Sequence, residues 1–247
     1  IPGAVEFVDQ CRACGHTITF ATNATAMSVD MIAEKLIACG LGRSGDGVVT
    51  GGLVVASSLA ARGMREIVAV VPPAMVDAIT ASGITVLDPV DFATSSWGLA
   101  DDRAVVIGAH RDATVGALET IGRLHAGGHP LYVTSLDPAF PGKGRLEPGG
   151  GTLVAAVSAM YPTVPIVLGK PSDAYATVVA ESARSTRRIV MFGDSQRADI
   201  GTAHLLDADS VFITGASNTP VRNDLPYPTF VTARLGAATV PFRSEPA

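Results

Sequence analysis

The chain has 247 residues, 47% of them hydrophobic and 17% charged, with a formal net charge of −5. That is enough apolar material for a sizeable core. The acidic balance and the lack of any Lys/Arg run exclude a nucleic-acid surface, and no apolar stretch reaches the roughly 18 residues of a membrane span. Cys11, Cys14 and Cys39 are too few for a disulfide framework, and the first ten residues, IPGAVEFVDQ, have no basic flank or signal core; a cytoplasmic location is the expectation.

In chain order, short β-rich runs alternate with Ala-rich amphipathic stretches. AVEFVDQCRACG reads as a helix closed by Gly15, TITFATN as a strand, and SVDMIAEKLIACG as a helix capped by Ser28 and stopped at Gly40. DGVVTGGLVVASSLAARG reads as a short strand or loop and then a helix. EIVAVVP, ITVL, RAVVIGAH and PLYVTSLD read as strands. AMVDAITASG, TVGALETIGRLHAGG and GGTLVAAVSAMY read as helices. PIVLGKP is a strand ending in a charged turn, DAYATVVAESAR a helix, RIVMFGD a strand, DIGTAHLLDA a helix and SVFITG a strand. Such alternation implies an α/β fold with mostly parallel sheets covered by helices.

In open parallel sheets, ligands bind at the carboxyl ends of strands. Three expected strands end in polar groups: Thr22-Asn23, Gly169-Lys170-Pro171 and Gly193-Asp194, with Asp199 five residues further on. A hydroxyl and an amide can hold phosphate oxygens, a lysine offsets their charge, and a carboxylate suits a hard cation such as Mg²⁺. Each group also has an ordinary reading, as an Asx turn, a solvated lysine or a helix cap. Their convergence on strand ends favours the phosphate reading.

Other motifs carry less. Gly40, Gly42 and Gly45 form a G-x-G-x-x-G with Glu66 downstream, but the run follows a helix where a dinucleotide fingerprint follows a strand. Cys11 and Cys14 form a lone CxxC on an expected helix, so packing is the default. No H-E-x-x-H pattern is present, which argues against zinc. Pro148–Gly151 reads as a loop entering a helix, and Trp97 as packing.

The order of these motifs resembles the haloacid dehalogenase superfamily of phosphatases, in its NagD-like, p-nitrophenyl phosphatase branch. TFATNATAMS resembles the second motif, with Thr22 and Asn23 in phosphate-contacting places and Ala24 where a second Asn is usual. VLGKPSDAY resembles the third motif, which gives Lys170 the phosphate-neutralising role. MFGDSQRADI resembles the fourth, with Asp194 as Mg²⁺ ligand and Asp199 as an acid acting behind it or through water. TSLDPAFPGKGRLEPGGGTLVAAV resembles the branch's cap signature. The resemblance implies a Rossmann-like core from residues 1–65 and 164–247, and an inserted α/β cap from 66–163 that closes over the substrate. Asp137, and with it His110 or Arg111, would face the pocket. It further implies a small phosphorylated metabolite as substrate, an aspartyl-phosphate mechanism and a homodimer paired through the cap. The family's nucleophile lies in a DxD motif at the end of its first core strand. No DxD precedes Thr22, Asp9 falls mid-helix, and the DAD of Asp207–Asp209 lies before a strand rather than after one. The nucleophile is therefore expected upstream of Ile1. The alternative is a homologue that binds a phosphorylated ligand without cleaving it.

Overall fold

The structure is a computed structural model describing residues 1–94, 98, 100–142, 144–183, 188–217 and 219–236; Trp97 lies outside the described residues. Helix α1 (Ala4–Ala13) leads to strand β1 (Thr19–Thr22), helix α2 (Val29–Ala38) and strand β2 (Gly47–Thr50), with β1 and β2 parallel. Then come α3 (Gly51–Ala61), β3 (Glu66–Val70), α4 (Pro73–Ala81), β4 (Thr85–Leu87), β5 (Arg103–Ile107), α5 (Val115–Ala126) and β6 (Leu131–Val133). A hairpin of β7 (Ala139–Pro141) and β8 (Leu146–Pro148) precedes α6 (Gly150–Ser158) and β9 (Ile166–Val167). The chain continues through α7 (Asp173–Ser182), β10 (Val190–Gly193), a π-helical turn (Gln196–Ile200), α8 (Gly201–Leu205), β11 (Asp209–Ile213), α9 (Thr214–Ser217) and β12 (Phe230–Thr232).

The α/β fold with mostly parallel sheets is as expected. The main sheet has five parallel strands in the order β4-β3-β5-β6-β9, and a second has β10-β11-β12, also parallel. Strand alternation divides the five-stranded sheet's core into two. Ile67, Ala69 and Val71 pack under α3 and α4; Val68, Val70 and Val105 pack under α5 and α6. Packing runs on across both expected domain boundaries. Leu59 of α3 shares a cluster with Ile79 of α4, and β9 pairs with β6.

Local chemistry sets the helix starts. Ser28, Thr50, Thr114 and Ser172 each accept a hydrogen bond from the backbone N–H three residues on, the N-cap arrangement. Gly40 closes α2 at φ 80°, so the G-x-G-x-x-G run is a helix stop and loop. Cys11 is buried against Phe7 and Ile213, while Cys14 is exposed. Several features differ from the sequence reading, among them α9, which begins at Thr214 inside the run SVFITG that reads as a strand. The hairpin and the short β12 were not expected, and DIGTAHLLDA is not one α-helix, because its chain enters through the π turn. Among the described residues, no helix is long and apolar enough to cross a membrane.

His129, in the turn before β6, is 3% exposed. Burial, and after it the charge of Arg103, hold its imidazole below the usual value. The folded state thus binds a proton at His129 less readily than the unfolded chain, which titrates at about 6.5. Its contribution is complete above that pH and is lost as pH falls through the depressed folded value. Thermal melts should show stability falling from pH 7.5 to 5.5, with a shallower fall in His129→Gln; equal slopes would contradict this role.

Candidate active site

The site is built where β1, the turn after β9 and the end of β10 meet. Lys170 is the element that joins them. Its Nζ donates to Ala21 O on β1 at 3.0 Å and to Asp199 Oδ1 in the π turn at 2.7 Å. The two side chains are 9% and 10% exposed, so this is a buried ion pair. Nζ also lies 5.8 Å from the centroid of the Tyr175 ring, within cation–π range. The other Asp199 oxygen, Oδ2, accepts from Ser195 N at 3.1 Å.

Asn23 is tied to the lysine's backbone through its side-chain amide. Its Oδ1 accepts from Lys170 N at 2.8 Å and its Nδ2 donates to Lys170 O at 3.3 Å. The amide thereby clamps the lysine's peptide unit to the end of β1. Thr22 Oγ1 accepts from Ala24 N at 3.2 Å, which orders the turn leaving β1. A hydroxyl whose oxygen is so engaged still has its proton to donate to an anion. Ala24 offers no side-chain polar group, and its carbonyl accepts from Gly51 N.

Asp194 follows β10 directly and is exposed. The structure therefore brings Thr22, Asn23, Lys170 and Asp199 into one connected network, with Asp194 at the adjoining strand end. Asp137 lies in the loop after β6, where its carboxylate accepts from Ser135 Oγ at 2.6 Å. That loop reaches the same region through Thr134, whose carbonyl a Cβ on Gly169 would overlap. Arg111 is 3.7 Å from Glu147 of β8, and His110 lines a separate cavity described below.

Two glycines are explained by these contacts. A Cβ on Gly193 would overlap the Asp199 carboxylate, and one on Gly169 would overlap Thr134 O and lie 3.0 Å from Asn23 Oδ1. The glycines thus admit the site's own acid and backbone.

Sequence reasoning missed two supports. Tyr175 is fully buried, and its hydroxyl lies 2.9 Å from Thr22 O and 3.1 Å from Val49 O, tying together the ends of β1 and β2. Burial, and after it the charge of Asp199, push the phenol's pKa up, so it stays an O–H donor. Its place five residues after Lys170, in the first turn of α7, was the available signal. Gln196 is buried and holds the 222–226 loop, donating to Arg222 O and Pro226 O and accepting from Arg222 N.

Comparisons with other proteins bear on this architecture. Residues 1–85 match the haloacid dehalogenase-like hydrolase family and residues 167–238 match a family described as HAD-hydrolase-like. The chain belongs to the haloacid dehalogenase-like hydrolases. It is 30% identical over 211 residues to haloacid dehalogenase-like hydrolase domain-containing protein 2 of Bos taurus, covering 82% of this chain and 73% of that one. Its fold matches a thermostable NPPase from Geobacillus stearothermophilus (18% identity, TM-score 0.82, 96% and 92% of the two chains). It also matches a p-nitrophenyl phosphatase from Archaeoglobus fulgidus (20%, TM-score 0.77, 95% and 90%). A third match is a glycerol phosphate phosphatase from Mycobacterium tuberculosis in complex with magnesium (24%, TM-score 0.78, 95% and 69%).

Removing one partner of a buried ion pair strands the other charge. Asp199→Ala should cost about 3 kcal/mol of stability in urea titration, and Lys170→Met with Asp199→Leu should recover most of it. A loss under about 1 kcal/mol in the single variant would show that Lys170 finds water instead.

Proposed function

We propose that the protein is a Mg²⁺-dependent phosphatase acting on a small phosphate monoester. The observation that carries this reading is the Lys170 ammonium, buried and fixed between Ala21 O and Asp199 at strand ends that also present Thr22 and Asp194. Phosphoryl transfer needs little covalent chemistry from the protein beyond positioning and charge stabilisation. Lys170 supplies a positive charge that is already desolvated and oriented, so it costs no reorganisation when negative charge builds on the transferring group. Thr22 donates its hydroxyl proton to a phosphate oxygen. Asn23 acts by holding the Lys170 peptide, and Asp199 by holding its ammonium.

The donor set suits a hard cation in part. Asp194 offers carboxylate oxygens at an exposed strand end, and among the described residues no group of three His, Cys, Asp or Glu side chains converges. Mg²⁺ commonly takes one or two carboxylates and completes its shell with water and substrate phosphate, so Asp194 would hold it. When bound, the ion offsets phosphate charge beside Lys170.

The attacking group in this reading is an aspartate carboxylate on a strand that fills the space between β1 and β10. Among the described residues each of these strands pairs along one edge only, β1 with β2 and β10 with β11. The carboxylate oxygen forms a bond to phosphorus as the ester P–O bond breaks; the leaving alcohol takes a proton from a neighbouring acid, and water then cleaves the acyl phosphate. That strand is proposed to lie upstream of Ile1. Asp137 in its loop is proposed to meet the substrate's organic part, with the segment 66–163 acting as the cap and pairing two copies.

The test is phosphate release from p-nitrophenyl phosphate. Turnover should require Mg²⁺, stop with a chelator, and fall by about 10² or more in Asp194→Ala and in Lys170→Met. Turnover that survives Asp194→Ala would refute its role. Tight binding of inorganic phosphate without turnover would favour the non-cleaving homologue.

A further inference from the structure

The order β4-β3-β5-β6-β9 has a consequence away from the phosphate site. The chain enters the five-stranded sheet at β3, steps to one side for β4, then crosses to the other side for β5. The helices follow this reversal. Met75 and Ile79 of α4 pack on one face, and Leu118 and Ile121 of α5 pack on the other. The loops leaving β3 and β5 therefore part in opposite directions. In open α/β sheets such a reversal leaves a crevice beyond the carboxyl ends of the strands, and ligands bind there.

A cavity of about 420 Å³ opens at this point, a size usual for small-molecule sites. Val70, Val71, Val86 and Leu87 are among its apolar lining residues. Its lining also carries Asp77, Asp88, Asp112 and the half-buried His110, and among the described residues no lysine or arginine lines it. Asp88 turns one oxygen to Val90 N at 2.8 Å. Asp77 and Asp112 are exposed, and their carboxylates have no ion-pair partner among the described residues. None of Thr22, Asn23, Lys170, Asp194 or Asp199 touches the cavity.

The ligand's chemistry follows from what this crevice lacks. A nucleotide at such a position sets its phosphate on a helix N-terminus. Here α4 opens with Pro72-Pro73, so its first position has no N–H to give, and in α5 one of the first-turn N–H groups, that of Ala117, is taken by Thr114 Oγ1 at 3.1 Å. The carboxylates would repel an anion in any case. An apolar body suits the aliphatic lining, and a positive charge suits the carboxylates. We propose that this crevice is a second binding site, taking a small heteroaromatic amine as its cation. Ligand seated against His110 and Asp112 would also bear on Arg111 between them, and so on Glu147 of the β7–β8 hairpin.

The test is calorimetric titration of the full chain with tryptamine, and with indole-3-acetate as the anion of similar shape. Both titrations are run in saturating inorganic phosphate, so that the phosphate site is occupied. Tryptamine should bind at one site, with indole-3-acetate about tenfold weaker or worse. Replacing the exposed pair, Asp77→Asn with Asp112→Asn, should weaken tryptamine about tenfold and leave the protein's melting temperature in place. The proposal is overturned if tryptamine does not bind, if the anion binds as tightly, or if the double variant binds tryptamine unchanged.

Discussion

One ammonium group holds this site together. Lys170 Nζ reaches a backbone carbonyl of β1 on one side and the Asp199 carboxylate beyond β10 on the other. Those two strands belong to different hydrogen-bonded sheets, so the lysine spans a junction that no strand pairing among the described residues closes. Everything nearby serves that bridge. Asn23 fixes the lysine's peptide, Tyr175 ties the ends of β1 and β2 and offers its ring to the charge, and Ser195 N holds the far oxygen of Asp199. The missing side chain of Gly193 leaves room for the acid itself. A buried charge pair is a poor source of net stability. In the proposed function this pair has a use, which is to hold a desolvated cation ready for a phosphoryl group.

Much of this was legible in the sequence, for physical reasons. Parallel strands buried on both faces read as short apolar runs, and hydroxyl caps such as Ser28 mark the helix starts. Polar residues directly after those runs, Thr22, Lys170 and Asp194, stand out because strand ends are where a sheet delivers function. The roles inside the site were harder to read. Asn23 and Lys170 lie 147 residues apart, and no local pattern shows that the amide's two hydrogen bonds go to the lysine's backbone. The β7–β8 hairpin escaped because its strands are three residues each, rich in proline and mostly exposed, with no alternation to betray them. The π turn escaped because Ser195 caps Ala198 and the chain must swing Asp199 back toward Gly193, a demand of the site that overrides the local helix pattern.

The same strand-end rule operates twice in the molecule. At the junction of β1 and β10 it gathers Lys170 with the carboxylates of Asp199 and Asp194. At the reversal of the five-stranded sheet it gathers carboxylates with no lysine or arginine among the described lining residues.

The central claim is that Lys170 marks a phosphoryl site completed by Thr22 and Asp194. A crystal structure of the protein grown with Mg²⁺ and orthovanadate tests it most directly. The account predicts vanadate within hydrogen-bond reach of Thr22 Oγ1 and Lys170 Nζ, with the metal on Asp194. Vanadate bound elsewhere, or absent from that strand-end junction at saturating concentration, would contradict it.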